Sequence, residues 1–326
     1  MVSPCALSVI VPCYNEEASL DELHRRVSAA CREVAADDYE LVLINDGSSD
    51  RTWKQLCALA ERDPHLRGVD LSRNYGHQSA ITAGLSLARG ARVLLMDADL
   101  QDPPELLPKM MAQMDDGFDV VYGQRERRDG DGLFKRATAA LFYRLLRQLA
   151  NVEIPPDTGD FRLMRRTVVE AFNALPEQHR FVRGMVAWVG FRQVAVPYVR
   201  GKRHRGESHY PLWKMTSLAI DAITSFSIVP LRLIVMLAGA TFLASLLLML
   251  YVAVSWLWFK AVPGWTSLIS VVLFLGSVQL LALGIIGEYI GRIFIESKRR
   301  PVFLIREVVQ GGGPDRPPVK IPGAGP

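Results

Sequence analysis

The sequence predicts an α/β fold followed by a hairpin of two membrane-spanning helices. Up to about residue 125, short and nearly continuous runs of Val, Ile and Leu alternate with helical patterns. This alternation is typical of a mostly parallel sheet that is covered by helices on both faces. Further along the chain, two long segments contain no charged residue. With 326 residues, 49% of them hydrophobic, the chain is long enough to bury a substantial core.

Five strands are predicted in the first region, and polar residues follow each of the first four. The strands read "LSVIVPC", "YELVLIND", "LRGVDLS", "ARVLLMDAD" and "FDVVYGQR", with helices expected over residues 17–35, 50–62, 77–89 and 104–116. The carboxyl ends of parallel strands meet at one edge of a sheet, so we expect a ligand site among the polar residues there. No GxGxxG follows the first strand and no GxxxxGK[ST] occurs, which argues against a Rossmann dinucleotide site and a P-loop.

From residue 126 to about 200 the pattern is less regular. An amphipathic helix is predicted over residues 133–149, and the polar cluster "DTGDFRLMRR" follows it. At the carboxyl end, the Gly and Pro content of "GGGPDRPPVKIPGAGP" indicates disorder.

Residues 233–259 and 261–287 contain no charged residue, and only Lys260 separates them. Each segment is longer than the roughly 18 apolar residues that indicate a transmembrane helix. Buried helices of a large soluble domain are the alternative, but such helices usually carry a polar stripe. Basic residues are concentrated before the first segment and after the second, so both ends are predicted to be cytoplasmic and the loop external.

Charge and cysteine content agree with a membrane protein that faces the cytosol. The net charge of +4 is mild and the basic residues cluster beside the spans, which favours anionic lipid over nucleic acid as a partner. The four cysteines lack metal-ligand spacing, as is usual in a reducing compartment. The first apolar run is short and has no basic residue before it, so it indicates a strand and not a signal peptide.

The segment "LLMDADLQDPPE" places several carboxylates at the tip of the fourth strand. In an extended backbone Asp97 and Asp99 point to the same side, and Gln101 joins them if the extension continues. Oxygen ligands without a nearby His or Cys favour Mg²⁺ or Mn²⁺, which is typically shared with substrate phosphates. The alternative is that Asp99 or Asp102 only caps the helix that follows the two prolines, which accounts for Asp102 better than for Asp97.

Six motifs together resemble one enzyme family. In chain order they are "SVIVPCYNEE", "VLINDGSSDRT", "SRNYGHQSAITAGL", "MDADLQDPPE", "DTGDFRLM" and "RHRGESHYPLWKM", followed by the hairpin. They resemble the family 2 GT-A glycosyltransferases that act on polyprenyl phosphates, such as dolichyl-phosphate-mannose synthases and bacterial undecaprenyl-phosphate glucosyl- or aminoarabinosyl-transferases. The resemblance covers about residues 7–300. It implies a metal-dependent, inverting hexosyltransferase that moves one sugar from a UDP- or GDP-sugar to a polyprenyl phosphate, with undecaprenyl phosphate as the expected acceptor.

The resemblance also implies which residues hold the donor. Asp99 is expected to be the principal ligand of Mg²⁺ or Mn²⁺, with Asp97 beside it and Gln101 as a helper. Simpler roles remain open: Asn15 or Glu16 could start a helix, Asp46 could form a turn, Arg125 could be a solvated surface residue, and His77 is interpreted as a helix-start or packing residue. The residues expected to bind the nucleotide-sugar are Pro12, Tyr14, Asn15, Glu16, Asp46, Asp97, Ala98, Asp99 and Arg125.

The predicted catalytic residues are Asp160, Arg162 and Asp99. In the resembled family the aspartate of "GDFR", here Asp160, is proposed as the catalytic base, with Arg162 near it. A phosphate monoester has its second pKa near 6, however, so most of the acceptor is already a dianion at neutral pH. We therefore hypothesise that Asp160 positions the acceptor or a basic partner more than it removes a proton.

The basic segment before the first span is predicted to hold the lipid phosphate, because arginine matches phosphate oxygens in bidentate fashion. A generic positive anchor explains the charges of this segment but not its interleaved Ser and Tyr. The four residues expected at the acceptor phosphate are Arg203, Arg205, Ser208 and Tyr210.

The predicted organisation places the protein in the cell membrane as a multi-pass protein. A processive polysaccharide synthase is an alternative, but its QxxRW motif is absent and the nearest string, "QHRFVRG", lacks the tryptophan. An inactive sugar-nucleotide sensor or scaffold is another, although Asp97 and Asp99 are intact. A homo-oligomer remains open. The predicted parts are a cytoplasmic GT-A catalytic domain (1–200), a basic amphipathic juxtamembrane segment (201–230), two transmembrane helices (231–292, with spans at 233–259 and 265–287) and a cytoplasmic tail (293–326).

Overall fold

A computed structural model describes residues 5–126, 158–199, 201, 229–259 and 264–311. The chain divides into two compact units, one holding the sheet and the other holding two long helices. The predicted helix over residues 133–149, the four predicted acceptor residues of the juxtamembrane segment and the Gly- and Pro-rich end lie outside the described residues.

The five strands predicted in the first region are all present, and a helix follows each of the first four. The elements are β1 (Leu7–Cys13), α1 (Leu20–Ala35), β2 (Tyr39–Asn45), α2 (Thr52–Arg62), β3 (Leu66–Leu71), α3 (His77–Leu87), β4 (Arg92–Leu95), a 3₁₀ turn (Pro104–Leu106), α4 (Leu107–Asp115) and β5 (Val120–Arg125). The predicted α/β class is confirmed for this region.

The sheet has eight strands in the order β7-β5-β6-β4-β1-β2-β3-β8. Strands β4, β1, β2 and β3 are parallel, whereas β6 runs antiparallel to both of its neighbours. The later elements are β6 (Thr158–Arg165), α5 (Arg166–Ala174), α6 (Val182–Trp188), β7 (Gln193–Tyr198), α7 (Val229–Phe259), α8 (Trp265–Ser297) and β8 (Ile305–Gln310).

Every residue of β1, β2 and β3 is buried. These strands lie inside the sheet with helices on both faces, which is why they read as continuous apolar runs. Helix α3 approaches β1 closely at Gly84, where a Cβ would lie 2.2 Å from Cγ2 of Ile10. Overpacking of this kind costs typically about 1–3 kcal/mol, so the glycine allows α3 to sit against the strand. The position of α3 matters for the site, because α3 begins at His77.

Besides β7, which lies in the region predicted to be less regular, two further strands were not predicted from the sequence. The cluster "TGDFRLMR" is strand β6, nearly all of it buried, although charged residues interrupt its apolar pattern. The second is β8, in the region predicted to be a tail: Ile305–Gln310 pairs antiparallel with β3 and extends the sheet. The prediction of a tail apart from the catalytic domain is therefore wrong for β8, whose partly buried pattern is typical of an edge strand.

Helices α7 and α8 form the second unit. They contain two segments long and apolar enough to cross a membrane, Val229–Leu247 and Phe274–Ser297, and none of either is buried within the structure. Large apolar side chains such as Phe242 and Leu280 are exposed on them. Exposed apolar surface of this extent marks membrane contact. The protein is therefore membrane-associated.

Candidate active site

The site lies at the carboxyl ends of β1 to β4, as predicted, and includes Asp160 on β6. Asp160 is 1% exposed. Arg183 on α6 donates from Nε to Oδ1 at 2.8 Å and from Nη2 to Oδ2 at 3.2 Å. Burial alone would raise the pKa of Asp160, but the hydrogen bond from His77 and the charge of Arg183 hold it well below its usual range. Asp160 is therefore an ionised, paired carboxylate.

His77 connects two carboxylates. Its Nε2 lies 3.2 Å from Oδ2 of Asp160 and 3.4 Å from Oδ1 of Asp97. Burial tends to lower the pKa of His77, but the hydrogen bond to Asp160 and the charge of Asp97 raise it overall. The interpretation of His77 as a helix-start residue is correct in position, since it is the first residue of α3, but incomplete in role. Its carboxylate partners are distant in sequence, so no local pattern revealed them.

Asp97 has a side-chain oxygen that fits a cation. Its Oδ1 is buried and has no hydrogen-bond partner among the residues that the structure describes. Burial raises the pKa of Asp97 to about 6, and the charges of Asp160, Asp102 and Asp99 add to the effect while His77 opposes it. One atom each of His77, Asp97 and Asp160 lie within 4.8 Å of one another, a grouping that could hold a metal ion. His77 lies near both carboxylates, but Arg183 pairs with Asp160 through two hydrogen bonds, so a cation fits best beside Asp97.

The extended backbone assumed for the metal residues is not present. Strand β4 ends at Leu95, and the chain turns at Ala98, Asp99 and Leu100, where Leu100 has φ of 59°. Alternation of side chains therefore does not place Gln101 beside the aspartates. Its backbone N–H instead donates to Oδ1 of Asp99 at 3.1 Å. Ala98 is buried, and the metal role of Gln101 stays a prediction without its original basis.

Asp102 is not explained by helix capping. The 3₁₀ turn and α4 begin without a side-chain cap hydrogen bond. Asp102 is fully buried and accepts a hydrogen bond from the hydroxyl of Tyr198, at the end of β7. Arg125 donates from Nε to the same hydroxyl at 3.4 Å and packs over Gly159, where a Cβ would lie 2.7 Å from its Nη2. Arg125 is thus held beside β6 and is not a freely solvated surface residue.

Asp46 binds the chain itself. It is 3% exposed, and its two oxygens accept hydrogen bonds from the backbone N–H groups of Tyr75 at 2.7 Å and Gly76 at 2.9 Å. The adjacent Gly47 has φ of 65° and a Cβ there would lie 2.5 Å from the backbone of Arg73. Asp46 thus fixes the segment that leads into His77, and the prediction that it also accepts from ribose or base stays a prediction.

The residues after β1 lie against the loop after β2. Asn15 has φ of 56°, and its Oδ1 accepts from the backbone N–H of Ser49 at 2.9 Å. It lies before α1 and outside the helix, so the helix-start interpretation of Asn15 is wrong. Glu16 accepts from the hydroxyl of Ser19 at 2.7 Å. Tyr14 is 50% exposed and able to cover a ligand, whereas Pro12 is buried within β1.

Arg162 is 4% exposed beneath this cluster and donates from Nη2 to the carbonyl of Gly159 at 3.1 Å. Burial lowers its pKa to about 10, and the opposing charge of Asp160 limits the effect. Because Arg162 is buried, it is better placed to stabilise Asp160 than to contact a substrate. Two further residues of the site were not predicted from the sequence. One is Arg183, the second arginine of "QHRFVRG". The other is Gln78, whose Oε1 accepts from the backbone N–H of Val182 at 2.9 Å and so ties α3 to α6.

Comparison with known proteins gives matches along most of the chain. A family model described as glycosyl transferase family 2 matches residues 8–172, and one described as the GtrB C-terminal hairpin matches residues 229–293. The uncharacterized glycosyltransferase YkcC of Bacillus subtilis is 45% identical over 92% of this chain and 93% of its own length. The bactoprenol glucosyl transferase of Shigella phage SfV is 40% identical over 93% of this chain and 99% of its own length. The Escherichia coli prophage bactoprenol glucosyl transferase homolog is 38% identical over the same shares.

Proposed function

This chain belongs to glycosyl transferase family 2, with the GT-A fold of that family, and we propose that it transfers one sugar from a nucleotide-sugar to a polyprenyl phosphate. The observation that carries the proposal is the similarity to bactoprenol glucosyl transferases, which includes both the catalytic region and the hairpin. The expected acceptor is undecaprenyl phosphate at the cytoplasmic face of the membrane. The expected donor is a UDP- or GDP-sugar.

The reaction is a direct displacement at the anomeric carbon. A phosphate oxygen of the lipid forms the new bond to this carbon, while the bond between the carbon and the donor diphosphate breaks. The nucleoside diphosphate leaves with the electron pair of the broken bond, and the configuration at the carbon inverts. The site must therefore hold one phosphate group as nucleophile and one diphosphate as leaving group, and it must separate their negative charges.

The donor diphosphate is expected beside Asp97 and Asp99. One buried oxygen of Asp97 has no hydrogen-bond partner among the described residues, and the pKa of this side chain is raised. Both properties fit a position for Mg²⁺ or Mn²⁺. A divalent ion held there by Asp97 would supply Lewis-acid stabilisation of the leaving diphosphate. Arg125, held by Tyr198 at the edge of the site, adds a positive charge that can face the same phosphates.

Asp160 is proposed to orient arginine and histidine, which agrees with the hypothesis of a positioning role. An aspartate whose pKa lies well below its usual range is a poor proton acceptor at neutral pH. It holds Arg183 through two hydrogen bonds, and the side chain of Arg183 is 32% exposed, so part of this side chain is accessible. We infer that Arg183 presents this face to the acceptor phosphate, and that the dianion attacks without a protein base.

The test is to supply membranes carrying the full chain with labelled UDP-, GDP- and dTDP-sugars and undecaprenyl phosphate. We expect label in lipid from one donor, with a single sugar per lipid and a requirement for Mg²⁺ or Mn²⁺. Asp97→Asn should abolish transfer. The matched control is Asp116→Asn, which changes an exposed residue at the carboxyl end of α4, whereas Asp97 lies before α4. Label in a polymer, or no label in lipid from any donor, would refute the proposed function.

A further inference from the structure

Strand β8 follows the second apolar helix in the chain and pairs with β3, the strand that leads into the segment before α3. Helix α8 ends at Ser297, and β8 begins at Ile305. Its register on β3 is interrupted, because Glu307 faces Asp70 whereas Ile305 faces Leu71. Arg306 is therefore the extra residue of a β-bulge. Bulges commonly redirect a side chain, and here the side chain of Arg306 turns back onto β3.

Arg306 contacts a buried carboxylate. Its Nη1 donates to Oδ2 of Asp70 at 3.1 Å, and its Nη2 donates to the carbonyl of Ser72 at 2.5 Å. Asp70 is 2% exposed, whereas the side chain of Arg306 is 58% exposed. A carboxylate this deeply buried needs its charge balanced, so the loss of Arg306 would alter the arrangement around Asp70.

Asp70 in turn fixes β2 and the loop after it. Its Oδ1 accepts from Nδ2 of Asn45 at 2.7 Å, in a contact that is buried. The Oδ1 of Asn45 accepts from the backbone N–H of Ser48 at 3.3 Å, and Oγ of Ser48 accepts from the backbone N–H of Asn15 at 3.0 Å. An unbroken series of hydrogen bonds thus joins Arg306 to Asn15, a residue expected at the nucleotide.

A second connection leads to the segment before α3. The backbone N–H of Ser72 donates to the carbonyl of Leu304 at 2.9 Å. The hydroxyl of Ser72 lies 3.0 Å from that of Tyr75, whose backbone N–H is bound by Asp46. Leu304 and Arg306 therefore contact Ser72, at the beginning of the segment that positions His77, and Ser72 in turn contacts Tyr75.

We propose that Arg306 is a positioning residue for the nucleotide-sugar site and acts on it through Asp70 and Asn45. The partner is the nucleoside diphosphate part of the donor, because the connections end on the loops after β1 and β2. The inference rests on the proposed function, since it requires a nucleotide at these loops. It gives the strand after the hairpin a role in donor binding that is separate from anchoring.

The experiment is calorimetric titration of the full chain in detergent with UDP and with GDP, in the presence of Mg²⁺. The variants are Arg306→Ala, Arg306→Lys and, as a matched control for loss of a nearby positive charge, Arg300→Ala, which is exposed. We expect Arg306→Ala to weaken nucleotide binding about 3- to 10-fold, an effect between those of surface and buried ion pairs. Arg306→Lys should restore part of the affinity, and Arg300→Ala should bind like the unaltered chain.

Two readouts separate positioning from general damage. A variant that merely folds poorly lowers the fraction of chains that bind, whereas a mispositioned site raises Kd at unchanged stoichiometry. In the background of Asp70→Asn, Arg306→Ala should cause no further loss, because coupled residues are non-additive. Unchanged Kd in Arg306→Ala, an equal change in Arg300→Ala, or additive effects with Asp70→Asn would overturn the inference alone. A failure of the unaltered chain to bind any nucleoside diphosphate would overturn the proposed function as well.

Discussion

Replacing Asp97 with Asn should make the metal-free protein more stable at neutral pH while abolishing transfer. Burial raises the pKa of Asp97 from 3.8 to about 6. A carboxyl group with a raised pKa favours the folded state at low pH, and this advantage is lost as the pH rises through the pKa of the folded protein. The cost of holding Asp97 ionised is therefore absent below pH 3.8, develops between about pH 4 and 6, and is complete above that window.

The size of the stability change follows from the size of the pKa shift of Asp97. At 1.36 kcal/mol per pKa unit, the ionised Asp97 costs about 3 kcal/mol at pH 8 and about half as much at pH 5. Asn is neutral and nearly isosteric, so it removes this cost. For a domain of this size, about 1 kcal/mol corresponds to roughly 2–4 °C in Tm, which predicts an upper limit of roughly 6–12 °C for the gain at pH 8.

The assay is thermal unfolding of the full chain in detergent with EDTA, at pH 5 and pH 8, with Asp116→Asn as the exposed control. Adding Mg²⁺ or Mn²⁺ should raise the Tm of the unaltered chain and leave Asp97→Asn unchanged, because a bound ligand stabilises only the state that binds it. A Tm for Asp97→Asn that equals or falls below that of the unaltered chain at pH 8 would refute the reasoning.

Three further predictions concern Asp160, its partner Arg183, and the partner of Asp102, Tyr198. Arg183→Ala should lower transfer by about 100-fold or more, with Arg183→Lys recovering little, because a lysine cannot reproduce the bidentate contact with Asp160; equal activity of Arg183→Ala and the unaltered chain would contradict this. Asp160→Asn at saturating Mg²⁺ should keep the same rise of rate with pH near 6, set by the acceptor phosphate, because the pKa of Asp160 lies far below that range; a rise that disappears in this variant would identify Asp160 as the titrating group. Tyr198→Phe should lower the free energy of unfolding by about 1–3 kcal/mol, because it removes the hydroxyl donor to buried Asp102. Denaturant titration measures this change. A stability equal to that of the unaltered chain would show that another group replaces the hydroxyl.

The first five strands could be predicted because their burial on both faces leaves a direct trace in the sequence. Strand β6 could not, since Asp160, Arg162 and Arg165 interrupt its apolar pattern. These charges are compatible with a buried strand only because their partners come from elsewhere: Arg183 pairs with Asp160, and Arg165 donates to the carbonyl of Phe118. Such partners depend on tertiary contacts that local pattern does not contain.

The candidate site likewise contains some residues that could be predicted from the sequence and others that could not. Asp97 and Asp160 carry enough local signal, in strand position and motif, to be named from the sequence. The role of Asp102 was misassigned because an Asp before two prolines has the pattern of a helix start, and its actual partner, Tyr198, lies on β7. The contacts of His77 and Arg306 likewise join residues far apart in the chain.

The place of β8 in the chain also constrains how the protein is made. A ribosome releases the amino-terminal domain first, and domains generally begin folding during synthesis. The outer edge of β3 cannot acquire β8 until residue 310 has emerged, after both apolar helices. Until then the nascent sheet has an open edge, which is a template for association with other chains. The final strand of the transferase domain therefore forms only on chains whose membrane segment has already been synthesised.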